Sequence, residues 1–142
     1  MVKKTYAFVL DCSMTMAWCF EDESTDYTDS VLECLTEKTA IVPALWNLEV
    51  ANVLLLTEKK NRITKSHSAE FIDILSTLPI IVDPSTSSRA MQSIYALAFQ
   101  ANLTIYDAAY LELAIREKIP LVTLDKELIS AAKKLQIPLK IS

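Results

Sequence analysis

Apolar and polar positions along the chain fall into two repeating patterns. Short apolar runs rich in branched or aromatic residues occupy positions 6–10, 40–42, 80–82, 121–124 and 139–141, each about the length of a strand. Between them apolar residues recur at helical spacing over 14–20, 25–38, 44–60, 65–78, 87–101, 105–118 and 126–135. Strands that alternate with helices need crossover connections, so the pattern predicts a mainly parallel, five-stranded central sheet with helices on both faces, a three-layer α/β/α sandwich. No repeat, linker or low-complexity stretch interrupts it, and residues 1–142 are expected to form a single domain.

Punctuation supports these boundaries. Pro43 suits a helix start, Thr64 can cap the helix after it, and Thr104 with Asp107 has the spacing of a capping box. The chain has no glycine at all, although average usage would give roughly 10. Helix ends that usually employ glycine must use something else, and Asn61 and Asn102 follow two apparent ends.

The missing glycines also exclude phosphate-binding loops and dinucleotide fingerprints. No apolar run is long enough to span a membrane, and Asp11 interrupts the first one before any cleavage site, so a membrane protein and a secreted one are both disfavoured and the cytoplasm is the expected location. Cys12, Cys19 and Cys34 lack metal-binding spacing and have only His67 to join them, so they are expected to be reduced thiols. The net charge of -4 argues against nucleic-acid binding by bulk charge. Distribution qualifies this: Glu21, Asp22, Glu23, Asp26, Asp29, Glu33 and Glu37 crowd one segment, and Lys59, Lys60, Arg62 and Lys65 form a local basic group.

Four acids stand in apolar surroundings. Asp11 and Asp125 end apolar runs, Glu49 interrupts the run 44–56, and Asp107 lies within Leu-Thr-Ile-Tyr-Asp-Ala-Ala-Tyr-Leu. Each has a structural reading as well: Asp11 and Asp125 as helix caps, Asp107 as the acid of a capping box, Glu49 as part of a polar stripe with Asn52. Asp11 and Asp125 fall just past the carboxyl ends of expected parallel strands, where sites form in open α/β sheets. If those two strands are neighbours, Asp11 faces Asp125, and Glu49 and Asp107, near helix starts, can enter the same crevice. An oxygen-only set suits a hard cation, Mg²⁺ or Mn²⁺, of the kind used in phosphoryl transfer on a phosphodiester. Without these four acids the chain would carry 14 acidic and 14 basic residues, so the excess negative charge equals that of the proposed site.

The segments 8–18, 42–54, 103–114 and 120–128, with their Glu-Val-Ala-Asn-Val-Leu, Tyr-Asp-Ala-Ala-Tyr-Leu and Thr-Leu-Asp blocks, resemble the PIN-domain ribonucleases, and most closely the VapC-type toxins of toxin-antitoxin modules. The resemblance covers nearly the whole chain. It implies a metal-dependent endoribonuclease that hydrolyses RNA by a metal-activated water, with Asp11, Glu49, Asp107 and Asp125 as the catalytic, metal-binding cluster. Asp11 and Asp107 would bind Mg²⁺ (or Mn²⁺) directly, Glu49 and Asp125 directly or through water, and Ser13, Asn52 and Thr123 would orient carboxylates or water. It also implies a homodimer and a cognate antitoxin whose tail enters the acidic crevice with a basic residue in place of the metal. Where similar proteins often carry glycine, this chain has Arg62, Asn102 and Lys118, which puts the turn geometry in question.

Other readings remain. An aspartyl phosphatase would need D-x-D after the first strand, where the chain has Asp11-Cys12-Ser13. A non-catalytic PIN scaffold that binds RNA or protein would show no specific divalent-cation affinity. Trp18, Trp46, Tyr106 and Tyr110 can be read as base-stacking residues or as core, the basic group as an RNA-steering patch or a solvated turn, and His67 as a surface residue.

Overall fold

A computed structural model describes residues 5–141. Four parallel strands, β1 (Phe8–Leu10), β2 (Ala40–Val42), β3 (Ile80–Val82) and β4 (Leu121–Val122), pair in the order β3-β2-β1-β4. Val9 is the hinge of the register, opposite Ile41 on one side and Leu121 on the other. Phe8, Val9 and Leu10 have no exposed surface, as expected of an uninterrupted apolar strand covered on both faces.

The helices are α1 (Cys12–Ala17), α2 (Asp26–Cys34), α3 (Trp46–Lys59), α4 (Lys65–Thr77), α5 (Thr86–Arg89), α6 (Tyr95–Ala101), α7 (Ile105–Glu117) and α8 (Lys126–Lys134). The chain steps from β1 to β2 to β3 in one direction and then returns past β1 to β4. Right-handed crossovers therefore put α1 to α4 on one face and α5 to α7 on the other, and the direction changes between β1 and β4. Among the described residues no helix is long and apolar enough to cross a membrane.

The sheet has four strands among the described residues, not five. One sheet-like bond forms just before the expected strand at 139–141, from the Leu121 N–H to the Pro138 carbonyl at 2.9 Å, and the chain then bends at Lys140. In a parallel ladder the bond back to Leu121 would come from the Lys140 N–H, and the chain bends at Lys140, so the ladder stops there. The run 121–124 is also shorter as a strand than its apolar pattern suggests, because Thr123 and Leu124 leave the sheet to bond near Asp11.

The helix expected over 87–101 is broken into α5, a widened turn at Ala90–Ile94, and α6. Met91 and Gln92 leave helical geometry, with ψ of 17° and -105°. Each half has its own anchor: Thr86 in α5 bonds Asp83, whereas Ile94 and Ala98 pack with Ala108 and Ala109 of α7. No proline or glycine marks the break in the sequence.

Left-handed residues close four turns, and none is glycine: Asn61, Asn102, Lys118 and Gln136, with φ of 57°, 56°, 57° and 59°. Asn102 and Lys118 thus take the conformation that glycine would have eased, while in the first turn Asn61 rather than Arg62 does so.

Candidate functional site

The change of direction in the sheet puts the ends of β1 and β4 side by side, and Asp11 and Asp125 emerge there. Asp11 caps α1, accepting from the Met14 N–H at 3.0 Å. Its carboxylate also accepts from Thr123 Oγ1 at 2.6 Å and from Ser13 Oγ at 2.9 Å. These hydroxyls are themselves fixed from behind: Thr123 accepts from the Asp125 N–H and Ser13 from the Leu124 N–H, both at 2.9 Å. A relay of donors thus runs from the loop after β4 to the loop after β1. Only 3% of Asp11 is exposed, and burial, with the charge of Asp125, raises its pKa despite these bonds.

Asp125 is exposed and caps α8, its Oδ1 accepting from the N–H groups of Glu127 and Leu128 at 2.9 and 3.1 Å. Asp107 behaves differently. Thr104 Oγ1 caps α7 by accepting from the Asp107 N–H at 3.1 Å, yet the returning half of the capping box is absent among the described residues, which leaves the Asp107 carboxylate free. Partial burial and then the charges of Asp125 and Glu127 raise its pKa.

Glu49 lies in the first turn of α3, half-buried, and accepts from Tyr110 Oη at 2.5 Å. Burial raises its pKa, the Tyr110 bond opposes the rise, and Asp11, Asp107 and Asp125 add to it. All four acids are therefore electrostatic neighbours. Asn52, exposed one turn along α3, makes no hydrogen bond to them among the described residues.

Three features of the site were not legible in the pattern. Tyr110, one turn after Asp107 and 2% exposed, orients Glu49; burial and Glu49 push its hydroxyl up, so it stays a donor. Glu127 brings a further carboxylate close to Asp107. Cys12 lies among the acids, and burial with Glu49 and Asp11 pushes its thiol up to about 12, far from the thiolate a nucleophile requires. A Tyr at the second turn of an apolar helix and a Cys after a strand look like core residues from sequence alone.

Mutually repelling carboxylates with raised pKa values suit a hard cation chemically. Among the described residues no three His, Cys, Asp or Glu side chains converge into a ready-made cage. Mg²⁺ asks for less, since one or two carboxylates and several waters often suffice. The donors present fit such an ion, with Asp107 as the least committed ligand.

A model of the PIN domain matches residues 8–134. The chain belongs to the PIN domain family. The match spans all four strands and all four acids of this PIN domain. No curated protein matches it. Among solved structures, PAE2754 from Pyrobaculum aerophilum is 24% identical with a TM-score of 0.67, the alignment covering 89% of this chain and 79% of that one. The Mycobacterium tuberculosis toxin VapC20, described as cleaving the sarcin-ricin loop, is 13% identical with a TM-score of 0.60, over 87% of this chain and 94% of that one. Both share the PIN fold.

The aromatic candidates divide. Trp46 and Trp18 spend their indole N–H groups inside the protein, on Thr15 Oγ1 and the Thr28 carbonyl, and Tyr110 is buried. Tyr106, next to Asp107, is 65% exposed. His67 is exposed and its Nε2 lies 3.0 Å from the Cys19 carbonyl.

Proposed function

We propose that this PIN domain is a divalent-cation-dependent endoribonuclease of the VapC type, the toxin of a toxin-antitoxin pair. The observation that carries the reading is the gathering of Asp11, Glu49, Asp107 and Asp125 around the β1–β4 edge, where the neighbours of each acid are other acids. The RNA-cleaving activity stated for VapC20, which shares the fold, supports RNA as substrate. Three free cysteines fit a reducing cytoplasm.

Bound at these carboxylates, Mg²⁺ or Mn²⁺ supplies charge neutralisation at the scissile phosphate and acidifies a water. The chain's own residues do the positioning. Ser13, Thr123 and the Met14 N–H hold Asp11 in one orientation, and Tyr110 does the same for Glu49. The Asp107 carboxylate and the second oxygen of Asp125 make no structural hydrogen bonds among the described residues, which leaves them available to the ion. Burial and the neighbouring acids push the Cys12 thiol and the Tyr110 hydroxyl up, which disfavours both as nucleophiles; in the proposed reaction water attacks the phosphorus and the 3′ oxygen leaves, giving 5′-phosphate and 3′-hydroxyl ends.

Tyr95 and Phe99, one turn apart on α6, are 59% and 83% exposed, and Met91, in the break before α6, is 87% exposed, apolar surface that pairing of two copies would cover. The antitoxin would silence the enzyme by placing a basic side chain in the acidic crevice. The lack of three converging donors is also what a non-catalytic scaffold would show. Calorimetric titration with Mn²⁺ separates the two: the nuclease binds specifically and loses binding in Asp107→Asn, whereas a scaffold shows no saturable heat.

A further inference from the structure

We propose that the groove between α8 and the α6–α7 turn holds the RNA strand as it leaves the carboxylate cluster, with Lys126 and Lys134 neutralising its phosphates. The inference rests on the ribonuclease reading and adds where the strand runs. The groove has a volume of about 730 Å³, and its polar lining includes Gln100, Asn102, Lys126, Ser130 and Lys134.

Three observations point to a polyanionic strand. Lys126, Ser130 and Lys134 are exposed and stand at i, i+4 and i+8, so they form one ridge on α8. Neither lysine forms an ion pair among the described residues, where the short ion pairs involve Arg89 and Arg116. The ridge begins next to Asp125, and the opposite wall at Asn102 lies two residues before Thr104, the cap of the helix that carries Asp107, so the groove adjoins the segments that hold two of the acids. Glu127 also lines the groove, but its charge acts on Asp107, at the cluster end. From Lys126 to Lys134 the helix rises about 12 Å, enough for roughly three stacked nucleotides at about 3.4 Å each. Gln100, Asn102 and Ser130 offer donors and acceptors for sugar and base edges.

The basic group at the α3–α4 turn is a weaker candidate. Lys59 lies ten residues, or roughly 15 Å, along α3 from Glu49. Arg62 shares a hollow with Glu21 and Asp22, which offset its charge.

The test measures binding of a fluorescently labelled, mixed-sequence single-stranded RNA of about 20 nucleotides across roughly 50 to 200 mM salt. All proteins carry Asp107→Asn to prevent cleavage. Lys126→Gln/Lys134→Gln should flatten the plot of log affinity against log salt by about 1.4, and Lys134→Gln alone by about 0.7. Lys59→Gln/Lys60→Gln should change it much less. In cleavage-competent protein, the groove pair should raise KM roughly tenfold and leave kcat nearly unchanged, the signature of lost uniform binding. An unchanged slope in the groove pair, or an equal loss in Lys59→Gln/Lys60→Gln, overturns the proposal. So does loss of poly-glutamate binding with RNA binding intact, which would make the groove a seat for an acidic protein tail. If the wild type cleaves RNA and the groove variants match it, only the groove assignment falls. If the wild type neither binds nor cleaves RNA, the nuclease reading falls and the groove with it.

Discussion

Arg116 on α7 should be among the most costly residues to remove outside the apolar core. Its guanidinium donates to Asp83 Oδ2 at 2.7 Å and to Glu112 Oε2 at 3.1 Å, and these acids are only 4% and 7% exposed. Asp83, just past β3, also accepts from Ser85 and Thr86, and Thr86 Oγ1 accepts from the Ala44 N–H after β2. One cation therefore ties α7, which carries Asp107 and Tyr110, to two strands. Arg116→Met keeps the aliphatic volume but leaves the buried Asp83 carboxylate without its cation and Glu112 with only Arg89 at 3.9 Å, a loss of about 3–5 kcal/mol. For a chain of this length each kcal/mol moves the melting temperature by about 3 °C, so Tm should fall by roughly 10–15 °C at pH 7.

The pH dependence has a definite sign. Burial pushes the Asp83 carboxyl up, but the Arg116 bonds, the Ser85 bonds and the guanidinium charge outweigh it and hold it below its ordinary value. A lowered folded pKa gives stability that is fully present above the unfolded value of about 3.9 and is lost as pH falls through the folded value. The gap between wild type and Arg116→Met should stay constant from about pH 7 to 5 and narrow below about 4. Thermal melts followed by circular dichroism at several pH values read this directly. A deficit below about 1 kcal/mol at pH 7, or a gap that does not narrow in acid, would refute the claim that this network is a buried, mutually dependent unit.

Other expectations concern turns, assembly and substrate. Lys118→Gly relieves a left-handed residue that costs about 1–2 kcal/mol, offset by about 0.5–1 kcal/mol of added chain entropy, so thermal melts should show a net gain of about 0.5–1 kcal/mol. Phe99→Glu puts a charge on the exposed apolar surface of α6; if two copies pair through that surface, sedimentation should show a dimer for the wild type and a monomer for the variant. Tyr106→Ala removes an exposed ring beside Asp107, and RNA affinity in an Asp107→Asn background should fall by about 1–3 kcal/mol if the ring stacks on a base.

The parts of this protein set by local rules could be read from its residues. Short branched runs gave β1, β2 and β3, and the helix starts at Thr64 and Thr104 lie where a hydroxyl caps the first turn. The meeting of Asp11 with Asp125 followed from one topological condition, the pairing of β1 with β4. Glu49 stood out because a carboxylate amid an apolar helix run has no local partner, and its partner is Tyr110, 61 positions away. What escaped depends on such distant contacts. The run 139–141 has the composition of a strand, but the return bond of a parallel ladder needs the Lys140 N–H, and the chain bends there. The break at Met91–Gln92 reflects competing anchors on α5 and α6, and the Asp83–Arg116 pair joins residues 33 positions apart, which no local pattern signals.

Cleavage of total cellular RNA by the purified protein with Mn²⁺ or Mg²⁺, with end sequencing and with EDTA and Asp107→Asn as controls, tests the central claim. Asp107 is the best acid to change because its carboxylate has no structural hydrogen bond among the described residues, so the variant should melt like the wild type. The account predicts discrete cuts with 5′-phosphate ends that vanish in both controls. Cuts that persist in EDTA or in folded Asp107→Asn, or no cuts from folded protein free of any antitoxin, would contradict it.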